Sequence, residues 1–243
     1  MTRVPVSTYR VQLHRGFGFA DAAGIAGYLH DLGIGDLYAS PILAARPGST
    51  HGYDVADPTR LNPELGGEVG FERLTAALRE RGMGLLVDIV PSHMAAGPEN
   101  PWWSDVLERG RASPFASSFD IDWESPAQDG KVVLPLLGDR YPEVLERGEL
   151  RLLVEEGNLR IAYFDLRLPV SPASCDLVLE RSGVGAGGPA RFRLAWQEHG
   201  EDRSRIQGLL RRISRGRGGG GRPARRGDPG AGLPALPLAA GAL

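Results

Sequence analysis

Two short polar segments, each following an apolar run, hold side chains that could do chemistry together. The first segment closes its apolar run with Asp88 and, five residues later, His93. The second segment holds His51, Tyr53 and Asp54. Carboxylate and imidazole groups can hydrogen-bond ring hydroxyls, and a phenol offers a flat apolar face, so these residue types suit a sugar pocket. The pattern therefore predicts a carbohydrate-active site.

Each of these residues also has an ordinary structural interpretation. A carboxylate at a strand end, such as Asp88, often holds a neighbouring loop by hydrogen bonds, and a lone histidine such as His93 is often a satisfied loop residue. A metal site built from His51, Asp54, Asp88 and His93 would lack any CxxC or HExxH spacing. We therefore predict neither a metal nor another cofactor.

The elements that carry the two segments alternate between strand and helix patterns. Strand patterns cover residues 8–13, 37–42 and 84–90, and helical spacing covers residues 20–32 and 68–81. This order favours right-handed parallel crossovers, as in a doubly wound sheet or a βα barrel. Because the polar segments follow the second and third strands, where a barrel keeps its active site, the barrel is favoured.

The pattern changes after residue 94. Asn100 is typical of a helix N-cap with Pro101 at the first helical position, which predicts a short helix over residues 102–109. Turn-rich sequence with strand candidates at 131–137 and 150–154 follows, and we interpret it as an insertion after the third strand. The predicted domains are thus barrel units at 1–93, an insertion at 94–196 and a tail at 197–243.

Tryptophans in the predicted insertion have two interpretations. Trp102, Trp103 and Trp123 could serve as sugar-stacking platforms, or they could belong partly to a core. The sequence does not decide between them.

Arginine, glycine and proline dominate the tail from about residue 203. No apolar face is available there to offset the entropy of ordering, so the composition predicts disorder. The formal net charge of −2 gives no overall field to attract nucleic acid. An RNA-binding tail remains an alternative, although no aromatic residues are interleaved with the arginines for base stacking. We predict no nucleic-acid partner.

Cysteine usage and apolar run length bear on the compartment. Cys175 is the only cysteine, so no intrachain disulfide can form, and a buried, apolar role is expected for it. Neither a signal-peptide pattern nor an apolar run of the ~18 residues needed for a membrane span occurs. We expect a cytoplasmic protein without a membrane partner; the oligomeric state is left open.

The polar segments and their neighbours resemble the alpha-amylase superfamily (glycoside hydrolase family 13), and within it the maltooligosyl trehalose synthase family. DIVPSH at 88–93 is similar to the first signature region of the superfamily, except that Ser92 replaces the usual asparagine. The resemblance extends over about residues 7–170. Its other segments are STYRVQL (7–13), YASPI (38–42), GSTHGYDV (48–55), LNPELGG (61–67), NPWW (100–103), FDIDW (119–123) and LPLLG (134–138).

This resemblance implies an α/β fold, the N-terminal part of a TIM (β/α)8 barrel with an irregular insertion after strand three. It implies an isomerase that converts the reducing-end α-1,4 link of a maltooligosaccharide into an α,α-1,1 link, forming trehalose units. Tyr53 would stack on the sugar, His93 would bond its hydroxyls and Asp88 would organise the site. The substrate-binding set is thus Tyr53, Asp88, His93, His51 and Asp54.

Only three of the eight barrel strands can be assigned, and the family's catalytic nucleophile and general acid have no match in this sequence. The barrel is therefore expected to be incomplete and the chain inactive alone. A non-catalytic glucan-binding remnant is the alternative. Codons for residues 206–212, read one base later, can give Tyr-Arg-Gly-Phe-Phe-Asp, similar to the family after its Arg-Leu-Ala-x-Trp segment. We therefore hypothesise a frame change near residues 197–205, which sequencing the DNA from codon 195 onward in all frames would test.

Overall fold

The described chain forms two compact units that divide between Pro101 and Trp102. The structure is a computed structural model and describes residues 4–126, 130–197 and 200–214. The first unit runs, in chain order, through strand β1 (Thr8–Val11), helices α1 (Phe19–Gly24) and α2 (Ala26–Asp31), strands β2 (Asp36–Ala39), β3 (Leu43–Ala45) and β4 (Val55–Leu61), helix α3 (Gly67–Arg79) and strand β5 (Gly84–Val87).

A three-stranded parallel sheet, in the order β1-β2-β5, organises the first unit. In its register Arg10 pairs with Tyr38 and Tyr38 with Leu86, so these three side chains share one face of the sheet. Strands β3 and β4 form a separate antiparallel hairpin in the connection after β2. The parallel order confirms the predicted α/β class, and the described residues contain no closed barrel.

The opposite face of this sheet carries the core of the first unit. Leu37 on β2 packs with Phe19 from α1 and Leu74 from α3, and all three are fully buried. The rings of Phe19 and Phe71 meet edge to face, with centroids 5.5 Å apart. Because the helices cover only this face, the row that holds Leu86 stays accessible, and Leu86 is 37% exposed.

Several predicted boundaries differ from the structure. The single helix expected over residues 20–32 is broken at Ile25 into α1 and α2, next to Gly24, which has a low helix propensity. The strand expected over 37–42 ends at Ala39, ahead of Pro41, which cannot donate to a sheet ladder. The β3–β4 hairpin was not predicted, because the sequence of β4 lacks a regular apolar alternation.

The second unit surrounds an antiparallel sheet in the order β6-β7-β8. Its elements, in chain order, are helices α4 (Pro101–Arg109, whose first residue closes the first unit) and α5 (Tyr141–Glu146), strands β6 (Leu150–Glu155), β7 (Asn158–Tyr163) and β8 (Leu166–Pro169), and helices α6 (Pro172–Arg181), α7 (Gly188–Gln197) and α8 (Glu201–Ser214). The predicted helix after Asn100 and the predicted strand near 150–154 are therefore present.

Segment 131–137, predicted as a strand, is not one. Val132 and Leu134 are buried and Val133 is exposed, so the period-two burial is present without a partner strand. Leu136 N donates a local hydrogen bond to Leu134 O instead of joining a sheet ladder. Pro135 has no N–H to donate to such a ladder. The alternation therefore reflects packing of an irregular segment on the core.

Trp102, Trp103 and Trp123 all contact other apolar groups of the second unit. The ring of Trp102 stacks on Phe115 at 4.9 Å, and Trp103 packs on Phe119 at 5.0 Å. Trp123 packs against the hydrophobic core of the second unit. These contacts favour the core interpretation over that of sugar platforms.

Helix α8 corrects the predicted disorder of the tail over residues 201–214. Ile206 is fully buried and Leu210 is 7% exposed, so two residues four positions apart form an apolar stripe that the arginine-rich composition obscured. The remaining tail, 215–243, lies outside the described residues, as do residues 198–199 of the proposed frame change. For 215–243 the predicted disorder stays a prediction, and RNA binding stays an alternative.

Cys175 lies in the core of the second unit, on α6. Burial raises the pKa of its thiol to about 11, so the group is protonated at neutral pH and does not act as a thiolate nucleophile. Among the described residues, no helix is both long and apolar enough to cross a membrane.

Replacing Ile206 with alanine tests the packing of α8. The loss of a fully buried aliphatic side chain should lower the free energy of unfolding by about 2–4 kcal/mol. Urea unfolding followed by circular dichroism measures it, with Ser204→Ala, an exposed position on the same helix, as the matched control. Equal stability of the two variants would show that α8 does not pack on the unit.

Candidate functional site

Asp88 stands one residue beyond β5, at the carboxyl end of the parallel sheet. Its N–H donates to the carbonyl of Ala39 at 2.9 Å, which continues the ladder and fixes the backbone of Asp88. Its Oδ2 accepts hydrogen bonds from two phenols, that of Tyr53 at 2.5 Å and that of Tyr38 at 3.3 Å. The carboxylate is thus a common acceptor for a residue of β2 and a residue of the hairpin connection.

Tyr53 reaches Asp88 from a tight turn at residues 49–54. Gly52 has a φ of +77°, and a side chain there would also approach Pro41 O within 3.0 Å, so glycine is required. Nδ1 of His51 accepts a hydrogen bond from Tyr53 N at 3.0 Å, and the two rings stack with centroids 6.0 Å apart. The turn therefore places imidazole and phenol side by side.

Asp54 closes this turn. Its Oδ1 accepts from the hydroxyl of Ser49 at 2.5 Å, and the same hydroxyl accepts from Gly52 N at 3.1 Å. Nδ1 of His51 is 3.8 Å from Oδ1 of Asp54, which is beyond hydrogen-bond range. Because Nδ1 already accepts from Tyr53 N, we assign the ring proton of a neutral His51 to Nε2.

Arg10, on β1, completes the cluster around the phenol. Its Nη2 donates to the Tyr53 hydroxyl at 3.1 Å, and its guanidinium carbon lies 5.7 Å from the ring centroid of Tyr38. The Tyr53 oxygen therefore lies between a cation and an anion, donating to Asp88 and accepting from Arg10. We call Arg10, Tyr38, Tyr53 and Asp88 the phenol cluster.

The charges of the cluster keep Tyr53 protonated. The hydrogen bond to the Asp88 carboxylate raises the pKa of Tyr53 above its ordinary value, and the hydrogen bond from Arg10 partly offsets that rise. The bond to Tyr53 in turn raises the pKa of Arg10. A phenol held neutral beside a carboxylate is unsuited to act as a base.

Four of the five predicted site residues lie in one connected group, and no described hydrogen bond joins the fifth to it. Tyr53 bonds Asp88 directly, His51 stacks on Tyr53, and Asp54 braces their turn. His93 is exposed, with its Nδ1 3.4 Å from the hydroxyl of Ser92, and no described hydrogen bond joins it to the phenol cluster. The sugar-binding role predicted for His93 therefore stays a prediction.

Arg10, Gln12 and Tyr38 were missed as site residues. A signal was present in the alternation of β1, because Arg10 and Gln12 are polar and two residues apart, which places them on one face. Gln12 Nε2 donates to the carbonyls of His51 at 3.2 Å and Thr50 at 3.4 Å. Only the sheet register could show that this face meets the turn.

The geometry suits a polyhydroxylated ligand better than a metal. Within the described residues, no group of three or more histidine, cysteine, aspartate or glutamate side chains could hold a metal ion. The phenol cluster offers a half-buried aromatic ring, a carboxylate and a guanidinium within one hydrogen-bonded group. Such groups can stack on a sugar ring and bond its hydroxyls.

Comparison with protein families agrees with this geometry. The family model described as alpha amylase, catalytic domain, matches residues 15–136. A putative maltooligosyl trehalose synthase of Mycobacterium tuberculosis is 50% identical over 202 residues, covering 80% of this chain and 25% of that protein. The chain thus spans about a quarter of the length of this relative.

Solved structures give the same result for the fold. The maltooligosyltrehalose synthase of Arthrobacter ramosus is 40% identical, with a TM-score of 0.62 over 77% of this chain and 23% of that one. A hypothetical maltooligosyl trehalose synthase of Sulfolobus tokodaii is 35% identical, with a TM-score of 0.60 over 71% of this chain and 22% of that one. The similarity covers most of this chain and a minor part of each relative.

Removing the charge of Asp88 tests the electrostatics of the phenol cluster. In Asp88→Asn the carboxylate that favours the neutral phenol is lost, so the pKa of Tyr53 should fall. Carbon-13 NMR of labelled tyrosine, titrated through alkaline pH, measures this, with Tyr53→Phe to assign the signal. Asp31→Asn, at an exposed position on α2, should leave the titration of Tyr53 unchanged. If Tyr53 titrates at the same pH in Asp88→Asn as in the unaltered chain, the Tyr53–Asp88 hydrogen bond is absent in solution.

Proposed function

This chain belongs to the alpha-amylase family, and from that premise we propose that it carries part of the substrate site of a maltooligosyl trehalose synthase. The observation that carries the proposal is the 2.5 Å bond from Tyr53 to Asp88 at the carboxyl end of a parallel sheet. The 50% identity to the Mycobacterium tuberculosis relative supports the choice of this enzyme within the family.

We propose that β1, β2 and β5 are the first three strands of a TIM barrel. Their parallel order, with helices α1 and α3 on one face only, supports this, because the inner face of a barrel is covered by its other strands. The accessible row of Arg10, Tyr38 and Leu86 would then face the barrel interior. The second unit, beginning at Trp102, would be the insertion that follows the third strand.

Within this site, each member of the substrate-binding set has a distinct role. Tyr53 would lay its ring against the apolar face of a glucosyl residue, since its hydroxyl is already bonded and its pKa is raised. Asp88 would fix the Tyr53 ring by accepting a hydrogen bond from the Tyr53 hydroxyl. His51 would extend the aromatic surface, Asp54 would hold the turn, and His93 would bond sugar hydroxyls from the following loop.

The reaction of the whole enzyme would be an intramolecular glucosyl transfer with retention. An aspartate attacks the anomeric carbon of the penultimate glucosyl unit while a glutamic acid protonates the departing O4, and the two carboxyl groups lie ~5–5.5 Å apart. The released glucose then attacks through its anomeric hydroxyl, which returns the proton to the glutamate and frees the aspartate. Enclosure of the glucose favours this transfer over attack by water.

The described residues supply binding groups for this reaction but not its pair of reacting carboxylates. Asp88 is the one carboxylate that the described hydrogen bonds place in the phenol cluster, and there it serves as an acceptor for two phenols. We therefore propose that this stretch of chain binds maltooligosaccharides without converting them. The cytoplasmic location stays a prediction.

Titrating maltohexaose into the chain by calorimetry tests the binding role of Tyr53. Tyr53→Ala should weaken binding about tenfold, which corresponds to about 1.4 kcal/mol for the lost ring contact. Tyr28→Ala, which removes a 66% exposed tyrosine from α2, should bind as the unaltered chain does.

Two results would contradict this proposal. Equal affinities of Tyr53→Ala and the unaltered chain would remove Tyr53 from the sugar site. Absence of any saturable heat with the unaltered, folded chain would argue against a glucan site in this stretch altogether.

Incubating the purified chain with maltohexaose tests the proposed lack of turnover. Because the reacting pair is not in the phenol cluster, no trehalose-ended product should form, as judged by chromatography and by loss of reducing ends. Isomerisation of maltohexaose by the chain would show instead that a catalytic pair is present within these 243 residues.

A further inference from the structure

We propose that Arg10 is a positioning residue: from strand β1 it fixes the Tyr53 ring against Asp88 and so sets the face that Tyr53 presents to a ligand. That a sugar binds against this face rests on the proposed function, but the fixing of the Tyr53 ring by Arg10 does not. The substrate-binding set predicted from the sequence did not include Arg10.

The Tyr53 hydroxyl makes two directional hydrogen bonds. It donates to Asp88 at 2.5 Å and accepts from Arg10 at 3.1 Å. One bond would leave the ring free to swing about the Asp88 oxygen, whereas two partners, one on β1 and one just beyond β5, fix the position of the phenol oxygen. Since Tyr53 extends from a turn and is only half buried, packing alone does not hold its ring.

Arg10 is itself held in place by its neighbours. Its Nη1 donates to Gln12 Oε1 at 3.1 Å, and its guanidinium lies over the ring of Tyr38. Gln12 in turn donates to the carbonyls of His51 and Thr50. Residues 10–12, at the end of β1, therefore hydrogen-bond the turn at two places, the phenol of Tyr53 and the backbone at Thr50 and His51.

Arginine suits this position better than lysine. The planar guanidinium can donate to the Tyr53 hydroxyl and to Gln12 at once, from two nitrogens with fixed separation. A lysine ammonium keeps the positive charge opposite Asp88 but does not offer the same fork. Arg10 is exposed, so its replacement removes these contacts without leaving a cavity in the core.

The test replaces Arg10 with methionine and with lysine and follows Tyr53 directly. The charged or titratable groups around the phenol are Asp88, Arg10, His51 and Tyr38. In Arg10→Met the group that opposes the effect of Asp88 is lost, so carbon-13 NMR should show Tyr53 titrating at higher pH than in the unaltered chain. Arg10→Lys should give an intermediate titration.

The ligand readout uses calorimetry with maltohexaose. Arg10→Met should bind about three- to tenfold more weakly, as expected for the loss of one or two hydrogen bonds that orient the ring, and Arg10→Lys should recover part of the loss. Arg79→Met, at an exposed position on α3, is the matched control and should change neither readout.

An unchanged Tyr53 titration in Arg10→Met overturns the proposal, whatever the affinity for maltohexaose. A shifted titration with unchanged affinity shows that the ring is held but that holding it does not matter for the ligand, and overturns the positioning role. If the unaltered chain binds no maltohexaose, the proposed function fails, and the NMR titration still decides whether Arg10 fixes Tyr53. Should Arg10→Met fold poorly by circular dichroism, the titration of Arg10→Lys decides.

Discussion

The parallel register of β1, β2 and β5 is the constraint on which the candidate site depends. It places Arg10, Tyr38 and Leu86 in one row and puts Asp88 just beyond that row, on the same face. A slip of one residue in any strand would turn these side chains toward the helices and remove them from Tyr53. The buried residues of the other face, among them Leu37 and Ala39 on β2, oppose such a slip because they would have to leave the core.

The three strands of the parallel sheet were predicted because each is a short alternating or apolar segment next to a turn or a helix. Prediction failed where tertiary contacts decide the structure. The β3–β4 hairpin is stabilised by pairing rather than by an alternating pattern, and segment 131–137 alternates in burial without joining a sheet. Helix α8 was not predicted because its segment is rich in arginine, although Ile206 and Leu210 give it a buried apolar stripe.

The candidate site was predictable in its residue types but not in its connections. Tyr53 and Asp88 were identified from the polar segments that follow two strands, and the structure joins them. The role of Asp54 in bracing the turn is a local hydrogen-bond pattern that the sequence leaves open. Arg10 could not be assigned from β1 alone, since its partner lies 43 residues away along the chain.

The distances along the chain between the members of the phenol cluster have a consequence for folding. Tyr53 is separated from Asp88 by 35 residues and from Arg10 by 43, so each contact requires the closure of one long loop, and the complete cluster requires both. The local turn at 49–54 can form early, but the phenol reaches its two partners only when the three strands are in register. The state of the Tyr53 hydroxyl therefore reports the cooperative assembly of the sheet, and the site is absent from any partly folded form that lacks either outer strand.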